Sequence, residues 1–385
     1  MVKKILKNKF FILFSSFIII VVTARFNPIF SLNERIIALS VGIEESLEGY
    51  TVILEAIKPS NNIGDVERFV GSGKSVELAV KEIENNSNKR VSFAQTEVVF
   101  LDRKLLEKLD LSFLSSDRLK NIPEVAVNVV TNSPKQVIYG KIAENLHSSH
   151  EIGSFIRKNK QNIGVLEVNF KDFARDYMSY LGCVTLPYID ISKTDSDIVE
   201  DDKQGVENIV YNKENEDKNI TIHCNNGLAY SKNKTAILDY INYISFVLLK
   251  DNLTNNTGNI SIKTSNNTIN LYCKNVNIKK NYIVKNNVYI AEYEVYIDYF
   301  DNETYIMLNN DVNKKIKIDA SNIELVEKSI LDMLNNFIKF TIKNNLDLLH
   351  LFDEFYVINQ NIDNRFLQKL NFSINIKLNK SSKKS

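Results

Sequence analysis

The first candidate for a chemical role is a glycine-rich stretch, Gly71–Ser75 (GSGKS), which lies just before a predicted helix. It resembles the end of a phosphate-binding loop, whose backbone amides face the phosphate while its lysine reaches the outer phosphates. That loop needs a glycine five positions before the one that precedes the lysine, and Arg68 stands there. A strand ending in aspartate is needed as well, and Val98–Asp102 is a weak match. The stretch therefore predicts a glycine turn and a helix cap rather than a nucleotide site.

Histidines are the next candidates, because imidazole is a common metal ligand. His147 and His150 lie close together in the sequence, with Glu144 and Glu151 beside them. Zinc sites carried on one helix favour the pattern H-E-x-x-H, in which the glutamate is a general base. That pattern is absent, so these residues are predicted to be surface side chains and no metal site is assigned.

The three cysteines provide neither a disulfide framework nor an evident nucleophile. Cys183, Cys224 and Cys273 form an odd, sparse set, which leaves one bridge or three unbridged core residues open. Cys224 follows His223 without a third ligand nearby. Cys183 lies in the apolar context LGCVTLP, which favours a core position, and there is no G-x-S-x-G motif. No catalytic or cofactor-binding residue is predicted, and the chain is not expected to be an enzyme.

A charged segment near the middle of the chain contains the last candidate site. Its acidic cluster consists of Asp195, Asp197, Glu200, Asp201 and Asp202. These residues could attract calcium, but they lack the ligand spacing and the glycine of an EF-hand loop. The segment 191–218 has little apolar periodicity, which is typical of a solvated linker. It is predicted to separate an N-terminal domain, residues 25–190, from a C-terminal domain, residues 219–385.

The elements that would position these side chains alternate between strands and helices in the first domain. Apolar runs at Ile36–Val41 and Tyr50–Ile57 predict a hairpin or two neighbouring strands. Ser75 is suited to cap a helix, and the residues after it repeat with helical spacing: Val76, Ala79, Val80 and Ile83. Loops are predicted at 71–74 and 85–89, strands at 91–101 and 125–131, and helices at 105–119, 133–145 and 170–181. The domain is therefore predicted to be mixed α/β.

The second domain has several strands and then one long helix. Val288–Tyr299 alternates aromatic or β-branched residues with smaller or charged ones, as a half-exposed strand does. Ser321–Glu324 has the pattern of a capping box. The helix after it has an apolar stripe: Ile323, Val326, Ile330, Leu334, Phe337 and Thr341. Other strands are predicted at 219–222, 227–230, 259–263, 268–272 and 369–378.

These patterns together predict the fold class. The chain is expected to be a multi-domain α+β protein with mixed sheets and packed helices. Its C-terminal antiparallel sheet is expected to be covered by one long helix. The hydrophobic content of 44% and charged content of 25% are those of a globular protein. A net charge of +1 argues against a dedicated nucleic-acid binder.

The N-terminus predicts export. Lysines among the first nine residues precede an apolar run, Phe10–Ala24. The run has 15 residues, fewer than the roughly 20 that a membrane-spanning helix needs. Residues 1–24 are therefore a secretory signal peptide or a short N-terminal membrane anchor, and the chain is expected to work outside the cytoplasm.

The order of these elements, together with the residues of several stretches, resembles that of the C subunits of spore germinant receptors, the Ger(x)C family of spore germination proteins. Asn33–Glu44 resembles the family's charged stretch and apolar run, and Tyr50–Pro59 resembles its next strand. Residues 71–108 are similar to its glycine turn, helix, basic turn and strand, which also accounts for the incomplete phosphate-loop motif. Residues 122–138 and Gly227–Lys234 resemble later parts of the family pattern, as do the long helix and closing strand.

The sequence departs from the family in two places. The family usually has a lipid-bearing cysteine, commonly followed by Trp-Asp, directly after the signal. This chain has Arg25, Phe26, Asn27 and Pro28 there, and no tryptophan. A lipid anchor is therefore not expected. The segment Ala236–Asn252 is also more apolar than the family pattern implies.

The resemblance implies a non-catalytic subunit of a nutrient-sensing receptor, acting by protein–protein contact at the outer face of the inner spore membrane. Its implied partners are the receptor's A and B membrane subunits, with no nucleic acid, and nutrient binding by this subunit is left open. Tyrosines along the edge of the Val288–Tyr299 strand are a candidate contact surface, although they could equally pack a sheet. The alternative is an unrelated extracytoplasmic solute-binding or cell-envelope protein.

Overall fold

The computed structural model describes residues 34–47, 49–58, 66–108, 116–140, 148–159, 166–193, 220–231, 234–254, 258–263, 267–300, 304–308, 311–362 and 365–381. The predicted signal, 1–24, and the acidic cluster lie outside these ranges. Within them, fifteen strands form two sheets, and eight α-helices pack against those sheets.

The strands are β1 Arg35–Ser46, β2 Gly49–Ile57, β3 Val66–Gly73, β4 Arg90–Ser92, β5 Val98–Asp102, β6 Val127–Thr131, β7 Val184–Lys193, β8 Ile220–Ser231, β9 Lys234–Leu238, β10 Gly258–Lys263, β11 Asn267–Lys285, β12 Val288–Phe300, β13 Tyr305–Leu308, β14 Asp311–Lys317 and β15 Leu370–Ser381. The helices are α1 Val76–Ser87, α2 Arg103–Glu107, α3 Pro134–Tyr139, α4 Ser148–Asn159, α5 Phe170–Met178, α6 Tyr240–Lys250, α7 Ile323–Asn344 and α8 Leu351–Ile358. Short 3-10 helices lie at Leu119–Asn121 and Phe366–Lys369.

The first sheet has the order β3-β2-β1-β5-β6-β7-β8-β9, and β4 also pairs with β1. Its centre is parallel, because β1, β5, β6 and β7 run in one direction, while β2, β3, β8 and β9 join in antiparallel pairs. Apolar side chains of α1, α2 and α5 pack on one face, and those of α3 and α4 pack on the other. Every residue of β5 and β6 is buried, as expected for parallel strands covered on both faces.

The second sheet has the order β14-β13-β11-β12-β15, with β10 also on β11. The pairs are antiparallel except that β15 runs parallel to β12. Helices α6, α7 and α8 share one hydrophobic core with this sheet. Burial alternates along β12, so one face meets the helices and the other is polar.

Helix α6 lies where the two sheets meet. Its residues Tyr243–Leu249 are all buried, and a helix that is apolar on every side has to be enclosed. The Tyr243 hydroxyl accepts the backbone amide of Leu166 at 2.8 Å. Its ring lies against Gly227 of β8, where an added Cβ would be 2.6 Å from the ring's Cδ2. The high apolar content of Ala236–Asn252 is therefore explained by this enclosed helix.

The predicted fold class is confirmed: both sheets are mixed, helices pack on them, and α7 covers the C-terminal sheet. Most of the predicted α7 stripe is buried, from Val326 to Thr341. The predicted hairpin near the N-terminus is the β1–β2 pair. The closing strand is β15, whose parallel pairing with β12 no local pattern indicated.

Several element boundaries were predicted wrongly in the first half. Gly71 and Gly73 belong to β3, so the strand ends only at Gly73, and α1 continues into the predicted loop 85–89 as far as Ser87. The predicted strand 91–101 is two strands, β4 and β5, joined by a turn. The predicted helix 105–119 is α2 and a separate 3-10 helix, and α4 was not predicted.

The predicted capping box at the start of α7 is wrong. The Ser321 hydroxyl donates to Asp319 Oδ1 at 2.5 Å, and Asn322 is the residue that precedes the helix. The Asn322 side-chain oxygen accepts the backbone amide of Asp319 at 2.8 Å. Asp319 therefore competes for the serine hydroxyl and closes a local turn instead.

The predicted charged linker 191–218 begins inside β7, which ends at Lys193, and β8 begins at Ile220. β7 and β8 pair from Val184 opposite Tyr230 to Lys193 opposite Ile220. The predicted strands 219–222 and 227–230 are one strand, β8, and this strand and β9 lie in the first sheet. The division of the chain into domains at this segment stays a prediction.

Candidate interaction surface

The glycine-rich stretch serves to pack α1 closely on β3. A Cβ on Gly71 would lie 2.3 Å from the carbonyl oxygen of Ala79, and one on Gly73 would lie 2.8 Å from that residue's amide nitrogen. The Ser75 hydroxyl accepts the amide of Leu78 at 3.2 Å. The predicted helix cap is confirmed, and the glycines are explained by close approach of a strand to a helix.

Arg68, at the position where a phosphate loop needs glycine, has a structural task. Its Nε donates to the carbonyl oxygen of Ile138 at 2.8 Å. Its Nη2 lies 3.7 Å from a carboxylate oxygen of Glu55, which is fully buried. The arginine therefore compensates a buried negative charge and ties β3 to α3.

The histidine and cysteine candidates lie on different elements of the fold. His150 lies on α4, whereas His223 and Cys224 lie on β8, and His147 falls outside the described ranges. Cys183 and Cys273 are buried, and burial raises the pKa of the Cys273 thiol. That environment is typical of an unreactive core cysteine. In the part of the chain that the structure describes, no group of three His, Cys, Asp or Glu side chains could hold a metal ion.

The tyrosines of β12 are not an exposed edge, and this prediction is corrected. β12 lies between β11 and β15, so it is an interior strand. Tyr289, Tyr293 and Tyr299 are at most 3% exposed and face the helices. The Tyr293 hydroxyl lies 2.9 Å from that of Tyr282, and burial raises the pKa of Tyr293. The alternative interpretation, that these tyrosines pack the sheet, is correct.

A charged cluster lies where α5 meets α6 and the turn before α8. The Asp176 side chain is 7% exposed, and its Oδ2 lies 3.6 Å from His350 Nε2 and 3.8 Å from Lys250 Nζ. Arg175 Nη2 donates to its Oδ1 at 3.0 Å. Burial alone would raise the pKa of Asp176, but the neighbouring imidazole, ammonium and guanidinium together lower it. This carboxylate therefore joins elements from the two sheets as an anion.

A second buried carboxylate fixes the start of α8. Asp347 accepts the backbone amides of Leu351 and Phe352, both at 2.8 Å. Burial raises its pKa to about 6 even though these amides favour the ionised form. Because the amides come from the first residues of α8, Asp347 fixes the position of the first turn of that helix.

Beside this cluster, apolar side chains from both halves of the junction are exposed. We call them the junction patch: Met178, Tyr180, Tyr356, Val357 and Ile358. Met178 is 79% exposed and Val357 is 85% exposed. The Tyr180 ring stacks on Phe352 of α8, with centroids 4.3 Å apart, and Phe352 lies 6.1 Å from the ring of Tyr356. The stack holds the two parts of the patch together.

The junction patch has the properties of a contact surface for another protein. Single exposed apolar residues are ordinary, but exposed apolar residues on two elements that a ring stack joins favour an interaction site. Tyrosine and methionine are enriched in the buried centres of protein interfaces. The arrangement can bind an apolar surface, and it offers no nucleophile for a reaction.

Sequence reasoning missed this surface, although one signal was available. The helix α8 reads LFDEFYVI, which is apolar on most sides although the helix is short. Its buried residues are Leu351, Phe352 and Phe355, and the end of the helix remains exposed. A short helix with apolar residues beyond one face indicates a second contact in addition to the core.

The comparisons with known proteins agree with this fold. Residues 31–191 match the family described as the spore germination protein N-terminal domain. This part of the chain is similar to that family's N-terminal domain. The matched range covers β1 to β7 and all the helices between them, so the predicted resemblance is confirmed.

The whole fold is similar to the crystal structure of the GerBC protein. The likeness has a TM-score of 0.50 and covers 89% of this chain and 97% of that one, at 10% sequence identity. At such low identity the likeness shows the fold alone. Among curated proteins, none matches the sequence. No helix in the described ranges is long and apolar enough to cross a membrane, and the predicted segment Phe10–Ala24 lies outside those ranges.

Proposed function

We propose that this protein is a non-catalytic C subunit of a nutrient-sensing germinant receptor. It acts by protein–protein contact with the A and B membrane subunits at the outer face of the inner spore membrane. The match of residues 31–191 to the spore germination protein N-terminal domain supports the receptor context. The observation that carries a contact role is the junction patch, an exposed apolar surface supported by a buried charge cluster.

The proposed location follows from the N-terminal sequence. Residues 1–24 act as a signal peptide or short anchor, and Arg25 stands where a lipid-bearing cysteine would be. Membrane association then depends on the anchor or on the partner subunits, without a lipid. Mass spectrometry of the mature N-terminus distinguishes a cleaved signal from a retained anchor.

The contact role is tested by one charged substitution in the patch. Val357→Lys places a charge at the end of α8, where a lysine suits the helix dipole, so the helix itself is not weakened. A tagged chain is purified from solubilised spore membranes, and the recovered A and B subunits are quantified. We expect Val357→Lys to lower their recovery about tenfold, as for a charge placed in an interface centre.

The matched control is Leu47→Lys at the β1–β2 turn. Leu47 is fully exposed and far along the chain from the patch, so the same change of charge and size is made on a lone surface side chain. This variant should recover both subunits and germinate normally on nutrients. Equal recovery by the two variants, or a parent chain that recovers neither subunit, would contradict the proposed function.

A further inference from the structure

The last strand of the second sheet has one side on which the described residues place no neighbouring strand. β15 lies at the end of the order β14-β13-β11-β12-β15, so among the described residues only β12 pairs with it. The pairing runs in parallel from Tyr289 opposite Leu370 to Phe300 opposite Ser381, without a bulge. An edge strand of this kind presents backbone N–H and C=O groups that another extended chain can bind.

Two hydrogen bonds show which backbone groups of β15 point away from β12. The amide of Leu378 donates to Glu327 Oε1 of α7 at 2.9 Å, and the amide of Leu370 donates to a carbonyl oxygen of the preceding 3-10 helix. The direction of the backbone groups alternates along a strand, so the even-numbered residues between these two direct their groups to the same side. Phe372 and Ile374 therefore present two amides and two carbonyls at the open side.

The apolar side chains of β15 are fully buried at one end of the strand only. Ile376 is 7% exposed, whereas Leu370, Phe372 and Ile374 are half-buried although they pack against the same core. We call residues 370–375 the open edge. It contains neither a charged residue nor a proline, which are the usual means of preventing an edge strand from pairing. A strand added here would bury the exposed parts of three apolar side chains.

We propose that the open edge binds an extended segment of another protein, which adds a strand to the second sheet. An extended backbone is the partner that can pair with amides and carbonyls at alternate positions. The segment directs apolar side chains to the helix side, beside Phe372 and Ile374, and polar side chains to the opposite face. On that face Lys377 is exposed just beyond the open edge, so an acidic residue at the end of the segment is favoured.

A second copy of this chain fits the open edge less well. Two-fold antiparallel pairing of residues 370–374 with themselves would place each copy's 3-10 helix, Phe366–Lys369, opposite residues 375–378 of the other copy. The Leu378 amide is already held there by α7. A short segment of a different protein avoids this overlap. The open edge is also separate from the junction patch, which lies on α5 and α8 and the residues that follow α5.

The probe is a fluorescent peptide of the sequence Glu-Val-Thr-Val-Thr-Val-Glu, which alternates apolar and polar residues and has acidic ends. Its binding to the full-length chain in a non-ionic detergent is measured by fluorescence anisotropy. We expect saturable binding that weakens at least about tenfold when one alternate set of peptide amides, valine or threonine, is N-methylated. N-methylation of the other set, whose amides point away from β15, should leave the affinity within about twofold. Loss with the valine set identifies an antiparallel strand, and loss with the threonine set identifies a parallel one.

A matched pair of lysine variants tests where the peptide binds. Lys377→Glu should weaken the binding roughly fivefold, because it brings two carboxylates together. The control variant is Lys279→Glu on β11, which should bind the peptide as the parent chain does. Both lysines lie over the Tyr296 ring, with Nζ at 5.7 Å for Lys377 and 5.1 Å for Lys279, but β11 is two strands away from the open edge.

Three results would overturn the proposal: no saturable binding at about 1 mM peptide, equal losses from the two N-methylated sets, or an equal loss from the two lysine variants. Sedimentation of the chain alone as a dimer that the peptide dissociates would also overturn it, since the open edge would then belong to a second copy.

Discussion

The two sheets of this protein bury their apolar side chains in different ways. The first has helices on both faces, and its central strands β5 and β6 are buried at every position. The second has helices on one face only, and β12 alternates buried and solvated positions. The open face of the second sheet carries polar pairs, since Glu292 pairs with Asn281 at 2.8 Å and Asp298 with Asn275 at 3.2 Å.

The difference shows where a contact surface can form. Helices cover both faces at the centre of the first sheet, and polar pairs occupy part of the open face of the second. Exposed apolar side chains gather instead at the junction, where α5 and α8 meet through the Tyr180–Phe352 stack. A surface built from both halves requires that they be held in one arrangement, and the Asp176 cluster contributes to that.

The largest expected effect compares the two sheets directly. Phe100 of β5 is fully buried between helices on both sides, so Phe100→Ala should lower the free energy of unfolding by about 3–5 kcal/mol. Tyr296 lies on the open face of β12, and Tyr296→Ala should cost about 1 kcal/mol or less. Denaturant unfolding of the two variants measures both values. Similar costs at the two positions would remove the distinction between the sheets.

The next effect concerns the buried carboxylate at the junction. Asp347→Ala leaves the amides of Leu351 and Phe352 without their acceptor, at a cost of about 2–4 kcal/mol. Asp353→Ala, in the first turn of α8, removes an exposed carboxylate and should cost under about 1 kcal/mol. The same unfolding measurement compares them, and a larger loss from Asp353→Ala would show that α8 is not fixed by Asp347.

The raised pKa of Asp347 predicts a pH dependence with a defined sign. Its pKa of about 6 lies above the ordinary value of 3.8, so the folded state binds more protons between these values. Stability should therefore fall as pH rises from about 4 to about 6, by up to about 3 kcal/mol. The lowered pKa of Asp176 acts with the opposite sign and below pH 4. Subtracting the Asp347→Asn profile from the parent profile isolates the effect, and a flat difference between pH 4 and 6 would refute it.

The smallest effect tests the glycines of the first region. Gly71→Ala forces a Cβ against the carbonyl oxygen of Ala79 and should cost about 1–3 kcal/mol. Lys74→Ala changes the residue that would bind phosphate in a nucleotide loop, and stability should change by at most about 0.5 kcal/mol. Unfolding with and without a nucleotide checks both. Stabilisation by nucleotide that is lost in Lys74→Ala would restore the phosphate-loop interpretation.

Local periodicity made part of this fold predictable from the sequence. The alternation in β12 and the stripe on α7 depend on neighbouring residues, and both elements were predicted close to their observed bounds. The cap at Ser75 was predicted correctly, whereas the Ser321 hydroxyl donates to Asp319 and forms no cap. The second half of β11, which continues to Lys285, was not predicted because its residues are largely polar.

Other features depend on tertiary contacts that no local pattern reveals. The pairing of β7 with β8 joins strands separated by the charged segment, and the parallel β12–β15 pair joins strands far apart in the chain. The junction patch combines residues from α5 and α8, so its parts become one surface only after folding. The predicted helix cap at Ser75 is confirmed, but the site of contact could not be located without the fold.

The most direct test of the central claim is photo-crosslinking from the junction patch. A photoreactive phenylalanine analogue replaces Val357 in the full chain, and in a second strain it replaces Leu47. Spore membranes are irradiated, and the crosslinked proteins are identified by mass spectrometry. The proposed function predicts a light-dependent adduct between position 357 and the A or B subunit, and none from position 47. An adduct with those subunits from position 47 alone, or no protein adduct from position 357, would contradict it.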